Sequence, residues 1–234
     1  MEYPKINTLF KRDAENIIIP SQFTLPEFEY LKDCKFECTE KINGTNIRVE
    51  IDWIEEGNFK IEFKGRTDRA VIPTHLLKKL HELFKDFNPE SVFKLTQPTH
   101  ITLYGEGYGV KIQNGGNYIK DNVSFILFDI KIDNWWLSRE SCEEIASKLN
   151  LNIVPLIGYM TIQEAIDFVK KGFKSTISEN KEYDAEGLVL KTPQGLLFRN
   201  GSRIIFKLKT IDFRKFKAKY GDEENPIQPM NSYY

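Results

Sequence analysis

The sequence has few of the residues that build disulfide frameworks or zinc sites. Its 234 residues include three cysteines and three histidines, and the cysteines form no Cys-x-x-Cys pair. This sparse set excludes a disulfide-stapled scaffold and fits a reducing compartment. We expect Cys34 and Cys38 to lie on one face of a strand as buried free thiols.

Long apolar runs are also missing. Met1 to Lys5 carry no apolar signal segment, and no run approaches the roughly 20 residues that a membrane-spanning helix needs. The net charge is −1, which excludes a polyelectrolyte binder, so any nucleic-acid surface must be local. We therefore expect a soluble cytoplasmic protein.

Apolar residues are abundant and fall into short, strand-like runs. Hydrophobic residues make up 41% of the sequence and aromatic residues 13%, which is enough for a sizeable core. No repeat and no linker divides the chain, and the strands show no regular βαβ rhythm. This pattern predicts one α+β domain over residues 1–234 with mainly antiparallel sheets.

Periodicity predicts the positions of the main elements. Helices are expected over 74–87, over 139–149 after a Ser138 cap, and from a Thr161 cap to Gly172. A glycine-rich loop is expected at 105–109, and a loose tail at 220–234. The predicted strands cover residues 17–19, 36–39, 47–53, 59–63, 101–104, 123–132, 188–192 and 204–209.

One stretch, Glu-Lys-Ile-Asn-Gly-Thr-Asn at 40–46, separates two of these strands. Asn-Gly between alternating runs predicts a β-hairpin, because both residues tolerate positive φ. Taken alone, the tetrapeptide Lys-x-Asn-Gly indicates no more than a hairpin with a solvated lysine. Its meaning depends on what accompanies it further along the chain.

Five segments occur in a characteristic order at strand ends and turns. They are Glu40–Asn46, Gly65–Thr67, Tyr104–Gly107, Phe125–Asp129, and Glu186–Lys191 together with Phe206–Lys209. This order resembles the covalent nucleotidyltransferase superfamily of ATP-dependent ligases and capping enzymes. Within it, Lys-x-x-Gly-Thr-Asn is most similar to the RNA ligase 2 group. The resemblance runs from about residue 35 to 210.

The resemblance implies two packed, mainly antiparallel sheets with flanking helices, and a reaction that uses ATP with Mg²⁺ or Mn²⁺. AMP passes from ATP to a lysine and then to an RNA 5′-phosphate, and sealing to a 3′-hydroxyl releases AMP. Lys41 matches the lysine nucleophile. Lys207 and Lys209 share one strand face, and with Arg66 they could offset charge on the transferred phosphate.

The resemblance also assigns nucleotide-binding residues. Glu106 matches the acid that holds the ribose hydroxyls, and Phe128 matches the aromatic ring stacked on adenine. Phe125 is the alternative if the register slips, and either phenylalanine could simply be a core residue. Glu186 matches an acid of the divalent-metal site. Glu40 is expected to place its backbone against adenine.

Asn46 is the residue that best separates the subfamilies. The RNA ligase 2 group carries asparagine here and uses it on the RNA 5′-phosphate. DNA ligases and capping enzymes usually have arginine nearby, and Arg48 is close, so a DNA ligase remains an alternative. At position 43 those enzymes usually carry aspartate, so Asn43 favours an RNA ligase.

We therefore expect an ATP-dependent RNA ligase that consists of the adenylyltransferase domain alone, without a separate C-terminal OB-fold or helical domain. Its substrates would be RNA ends or nicked duplex RNA, with an auxiliary RNA-binding partner possible. A guanylyltransferase and a non-catalytic nucleotide- or RNA-binding relative are further alternatives. A basic group near the C-terminus is either a phosphate-contacting patch or a solvated helix end: Arg214, Lys215, Lys217 and Lys219.

Overall fold

A computed structural model describes residues 2–221 of the chain. The tail expected at 220–234 therefore lies almost wholly outside the described residues. Within residues 2–221, no helix has both the length and the apolar character that crossing a bilayer requires.

Strands provide most of the regular structure, as the predicted α+β class requires. In chain order they are β1 (Asn7–Thr8), β2 (Phe10–Arg12), β3 (Ile18–Phe23), β4 (Phe36–Glu40), β5 (Thr45–Glu55), β6 (Asn58–Gly65), β7 (Thr99–Gly109), β8 (Val123–Ile132), β9 (Trp135–Trp136), β10 (Asn152–Ile153), β11 (Leu156–Met160), β12 (Gly187–Lys191) and β13 (Ile205–Lys209). The α-helices are α1 (Glu27–Tyr30), α2 (Thr74–Leu83), α3 (Arg139–Lys148), α4 (Ile162–Lys171) and α5 (Thr210–Tyr220).

The residues group into two compact units, between which the chain passes several times. As far as these ranges are described, the first unit comprises Met1–Pro4, Ile42–Pro155 and Ser175–Tyr183. The second comprises Lys5–Lys41, Leu156–Lys174 and Asp184–Tyr234. The division thus falls directly after Lys41.

The first unit is built on a sheet of order β10-β8-β7-β5-β6, in which only the β10–β8 pair is parallel. Ile47, Val49 and Ile51 of β5 are fully buried in a core that also contains Leu76 and Leu80 of α2. Because successive strand residues point to opposite faces, the other face of β5 carries polar side chains from Asn46 onward.

The second unit is built on a sheet of order β1-β13-β12-β4-β11, in which only the β1–β13 pair is parallel. Its core includes Phe36, Cys38 and Phe206 together with apolar residues of α4 and α5. Cys38 is buried, as expected, but Cys34 is exposed. The expectation for Cys34 is wrong because the residue precedes β4 and lies on no strand.

The β-hairpin predicted at Asn43-Gly44 is wrong. Strand β4 pairs with β11 and β12, and β5 pairs with β6 and β7, so both edges of each strand are already used. Gly44 allows its backbone to lie close to β7, because a Cβ on it would lie 2.3 Å from the carbonyl oxygen of Gly107. The dipeptide therefore joins two different sheets.

The glycine-rich loop expected at 105–109 is also wrong, because β7 continues through these residues. A Cβ on Gly105 would lie 2.3 Å from the Phe125 ring, and one on Gly107 would lie 2.4 Å from Leu76. These glycines allow core side chains to pack directly onto the strand backbone.

All three predicted helices are present and the two predicted caps are confirmed, but α2 ends at Leu83, before the predicted end at residue 87. Ser138 Oγ accepts a hydrogen bond from the Ser141 backbone N–H at 3.2 Å. Thr161 and Glu164 form a capping box, and α4 ends at Gly172 with φ of 77°. The helix end that was one alternative for the basic residues at 214–219 is present, as part of α5.

Removing a core side chain from α2 should destabilise the first unit. Leu80→Ala should lower the free energy of unfolding by about 2–5 kcal/mol, because Leu80 is fully buried and the substitution leaves a cavity. Urea denaturation monitored by circular dichroism measures the change. Leu77→Ala is the matched control on the same helix, since Leu77 is only partly buried. Equal losses from the two substitutions would contradict the described packing.

Candidate active site

In the second unit, the central strands place charged side chains on the face opposite the core. Thr39 of β4, Val189 of β12 and Lys207 of β13 are register partners across the sheet. Gly187 and Lys209 form the next pair along that face. Residues that alternate with them, such as Cys38, Leu188 and Phe206, belong to the apolar core, so alternation separates the two faces.

Lys41 continues this charged face one residue beyond β4. Its backbone N–H donates to the carbonyl oxygen of Gly187 at 2.9 Å. Its Nζ lies 2.7 Å from Glu186 Oε2, and Lys209 Nζ lies 2.7 Å from Glu186 Oε1. The Lys41, Glu186 and Lys209 side chains are 20%, 13% and 31% exposed. One carboxylate thus bridges the two lysines in a partly buried setting.

Backbone contacts hold the carboxylate in place. The Thr210 N–H, at the start of α5, donates to the Glu186 carbonyl oxygen at 3.0 Å. Gly187 has φ of 150°, and a Cβ on it would lie 2.0 Å from the Leu208 carbonyl oxygen. Only glycine fits such a close approach, so the Glu186–Gly187 peptide is held between the ends of β4 and β13.

The same face carries two residues to which the sequence reasoning gave no role. Lys191 Nζ lies 3.4 Å from Glu37 Oε1, and the two residues are register partners on β12 and β4. Lys191 lies an even number of residues after Gly187, and Glu37 lies an even number before Lys41. Because strand side chains alternate between the two faces, this spacing could have placed both residues on the face of Lys41.

The Glu40 side chain lies on the other face. It is 1% exposed and its residue pairs with Leu188, a member of the core. This burial is compatible with the expectation that its backbone, and not its carboxylate, faces the nucleotide.

In the first unit, Asn46, Glu106 and Arg66 lie at the same end of the sheet. Asn46 and Glu106 are directly opposed on β5 and β7. Arg66 follows Gly65, whose register partner is Ile47, the residue after Asn46. Among the described residues, the buried Asn46 Oδ1 has no hydrogen-bond partner.

Phe128 occupies an irregular position on β8. Tyr104 pairs with Asp129 and Gly105 pairs with Leu127, so Phe128 is the extra residue of a β-bulge, a feature that redirects a side chain. Phe128 packs, partly buried, with a small apolar cluster around Ile126. Phe125 is 1% exposed in the main core. Of the two candidates, only Phe128 is partly exposed, and its ring packs edge-on against the Tyr3 ring at a centroid distance of 5.0 Å.

A comparison with protein-family models identifies the family to which the chain belongs. The RNA ligase family model matches residues 35–209. The chain belongs to the RNA ligase family. A comparison with curated protein sequences finds no match.

Solved structures of Naegleria gruberi RNA ligase share the fold. A variant with ATP and Mn has a TM-score of 0.57 and 20% identity, over 92% of this chain and 59% of that chain. The enzyme with PPi gives 0.56 and 20%, over 94% and 60%. A variant with AMP and Mn gives 0.57 and 19%, over 92% and 59%. This RNA ligase family member therefore spans about three fifths of those chains.

The side chains of this RNA ligase family member suit a metal that is shared with phosphate. Within residues 2–221, no group of three or more His, Cys, Asp or Glu residues could hold a metal ion by itself. Mg²⁺ is commonly bound by one or two carboxylates together with substrate phosphates. Glu186 fits that donor set as a single protein ligand.

The basic residues of α5 are partly neutralised. Arg214 lies 2.5 Å from Asp184, and Lys219 lies 2.8 Å from Glu15. Lys215 is exposed. These ion pairs weaken the expectation of a phosphate-contacting patch, because two of its four cations already have acidic partners.

Adding a methyl group at Gly187 should disrupt the carboxylate bridge. Gly187→Ala should destabilise the protein by more than about 2 kcal/mol, since the Cβ meets the Leu208 carbonyl and the backbone is strained. Gly195→Ala is the matched control: Gly195 also has positive φ, 66°, but a Cβ added there would meet nothing within 4 Å. It should cost about 1 kcal/mol. Thermal unfolding compares the two, and equal losses would contradict the close approach.

Proposed function

We propose that this chain is an ATP-dependent RNA ligase that forms a lysyl-AMP intermediate at Lys41. The observation that carries the proposal is the arrangement of Lys41 and Lys209 around the Glu186 carboxylate, in a chain of the RNA ligase family. A lysine with a paired acid and a second cation has the parts needed to take up and hold a phosphoryl group.

The chemistry follows from these groups. The neutral Lys41 amine attacks the α-phosphorus of ATP, a P–N bond forms, and the P–O bond to pyrophosphate breaks. The amine loses a proton and pyrophosphate leaves. An RNA 5′-phosphate oxygen then attacks the lysyl-AMP phosphorus and frees Lys41. Finally the 3′-hydroxyl attacks the activated 5′-phosphate, forming the phosphodiester and releasing AMP.

Glu186 and the two late-strand lysines would act on the phosphates. Before ATP binds, the Glu186 carboxylate holds Lys41 and Lys209, and it is the residue that would ligate Mg²⁺ or Mn²⁺. The bound ion would supply charge neutralisation at the phosphates. Lys207 and Lys209 would stabilise the negative charge that develops during transfer.

The first unit would bind the rest of the nucleotide and the RNA end. We assign Glu106 to the ribose hydroxyls, Phe128 to adenine and Arg66 to the phosphates, with Glu40 contributing its backbone. Asn46 would contact the RNA 5′-phosphate. Asn46 is partly buried and its Oδ1 has no hydrogen-bond partner among the described residues, which supports this assignment, because a flip of the amide would present its NH₂ group to an acceptor.

The RNA ligase 2 group is the subgroup that we propose. Asn43 and Asn46 support it. Arg48 argues against a DNA ligase, because it is only 1% exposed.

We also propose that both units form one adenylyltransferase domain, because the family match spans segments of each. A cytoplasmic role in RNA repair, with an auxiliary RNA-binding partner for sealing, completes the proposal. The three free thiols support a reducing compartment.

Adduct formation tests the first step. Protein incubated with labelled ATP and Mg²⁺ or Mn²⁺ should form an acid-stable, amine-linked AMP adduct, and Lys41→Ala should abolish it. Lys35→Ala is the control, because Lys35 is exposed and pairs with Glu164 on the surface. An adduct in Lys41→Ala protein, or none in the wild type, would refute the proposal. Labelling by GTP in place of ATP would indicate a guanylyltransferase.

Nick sealing tests the substrate. Pre-adenylylated protein should seal nicks whose 3′-hydroxyl strand is RNA at least about tenfold faster than all-DNA nicks, because a ligase built for RNA is expected to recognise the 2′-hydroxyl. Duplexes that differ only in the two nucleotides at the 3′-hydroxyl side of the nick provide the matched comparison. Equal sealing of both would favour the DNA ligase alternative. Binding without any adduct would favour a non-catalytic relative.

A further inference from the structure

Arg48 is the most deeply buried basic residue of the first unit, and its donors are used inside the protein. The residue is 1% exposed. Its Nε donates to the Gly65 carbonyl oxygen at 2.9 Å, Nη1 to Glu50 Oε1 at 2.7 Å, and Nη2 to Asp68 Oδ1 at 2.6 Å. The guanidinium thus joins its own strand β5 to two further points, the last residue of β6 and the turn that follows it.

Those two points flank Arg66. Gly65 ends β6, and Asp68 lies in the turn that follows it. The turn is closed further by a hydrogen bond from the Ala70 N–H to the Thr67 carbonyl oxygen at 3.0 Å. Arg66 itself is exposed and makes no hydrogen bond or ion pair with other described residues. A clamped turn therefore presents one arginine whose guanidinium is available.

The surrounding charges keep this clamp closed at neutral pH. Glu50 is 7% exposed at its side chain and also accepts from Lys64 Nζ at 2.5 Å. Burial opposes ionisation of Glu50, but the hydrogen bond from Lys64 and the charge of Arg48 lower its pKa overall. The hydrogen bond from Arg48 lowers the pKa of Asp68. Both acids are ionised and ion-paired, Glu50 with Arg48 and Lys64 and Asp68 with Arg48, and neither pairs with Arg66.

We propose that Arg48 is a positioning residue that holds Arg66 in the orientation in which it contacts the phosphates of ATP. This rests on the proposed function, which assigns Arg66 to the nucleotide. Arg48 cannot make that contact, because it has almost no exposed surface. A lysine at position 48 cannot replace it, since one ammonium lacks the planar fork that reaches Gly65, Glu50 and Asp68 together.

Single-turnover adduct formation tests the proposal with Arg48→Lys, Asp68→Ala and Arg66→Ala. Arg48→Lys and Asp68→Ala should each slow the reaction about tenfold, because small misplacements of a contacting group cost rate. The Asp68 side chain is 72% exposed, so Asp68→Ala should lower the melting temperature less than Arg48→Lys does, and equal rate losses in the two variants separate positioning from folding. Arg69→Ala is the control: Arg69 is an exposed arginine on the same turn and should change the rate less than about twofold.

The decisive readout is the double variant. In the Arg66→Ala background, Arg48→Lys and Asp68→Ala should slow the reaction less than about twofold further, because residues that act through one group are not additive. Losses that multiply with Arg66→Ala, or full activity of Asp68→Ala, would overturn the positioning role. A normal rate for Arg66→Ala would overturn it as well, while leaving adduct formation at Lys41 intact. Absence of the adduct from wild-type protein would instead show that the proposed function itself has failed.

Discussion

The shared carboxylate of Glu186 is the interaction on which the candidate active site depends. It holds the amines of Lys41 and Lys209 at 2.7 Å each, and its own backbone is fixed by Thr210 and by the constrained glycine that follows it. In a partly buried setting, two cations without this acid would repel each other. The carboxylate therefore keeps the two amines of this face close together.

The alternation of side chains along the strands produces a polar face opposite the core in each unit. In the second unit, core residues such as Leu188 and Phe206 alternate with the charged residues of β4, β12 and β13. In the first unit, Ile47 and Val49 enter the core while Asn46 and Arg48 lie on the opposite face. The packing that stabilises each sheet thus also orients its polar side chains, so the site needs few dedicated elements.

Some of this organisation is readable from the sequence, and the part that is readable is local. Capping at Ser138 and Thr161 depends on residues within one helical turn, so it was predicted correctly. The Asn43-Gly44 hairpin failed because pairing partners lie far apart in the chain, and strands β4 and β5 find theirs in different sheets. A two-residue signal carries no information about those distant partners. The Cys34 expectation failed for a local reason, because the strand predicted at 36–39 includes Cys38 but not Cys34.

By itself, the sequence determined the α+β class and the capped helices, because periodicity and capping depend on residues at short spacing, and it determined the family through the resemblance that its motifs carry. Only the tertiary structure decided that Phe128 is partly exposed while Phe125 is buried, that Glu186 bridges Lys41 and Lys209, and that Arg48 is buried. These outcomes depend on strand register, on a β-bulge and on which side chains are buried against each other. Contacts between residues far apart in the sequence determine the register, the bulge and the burial.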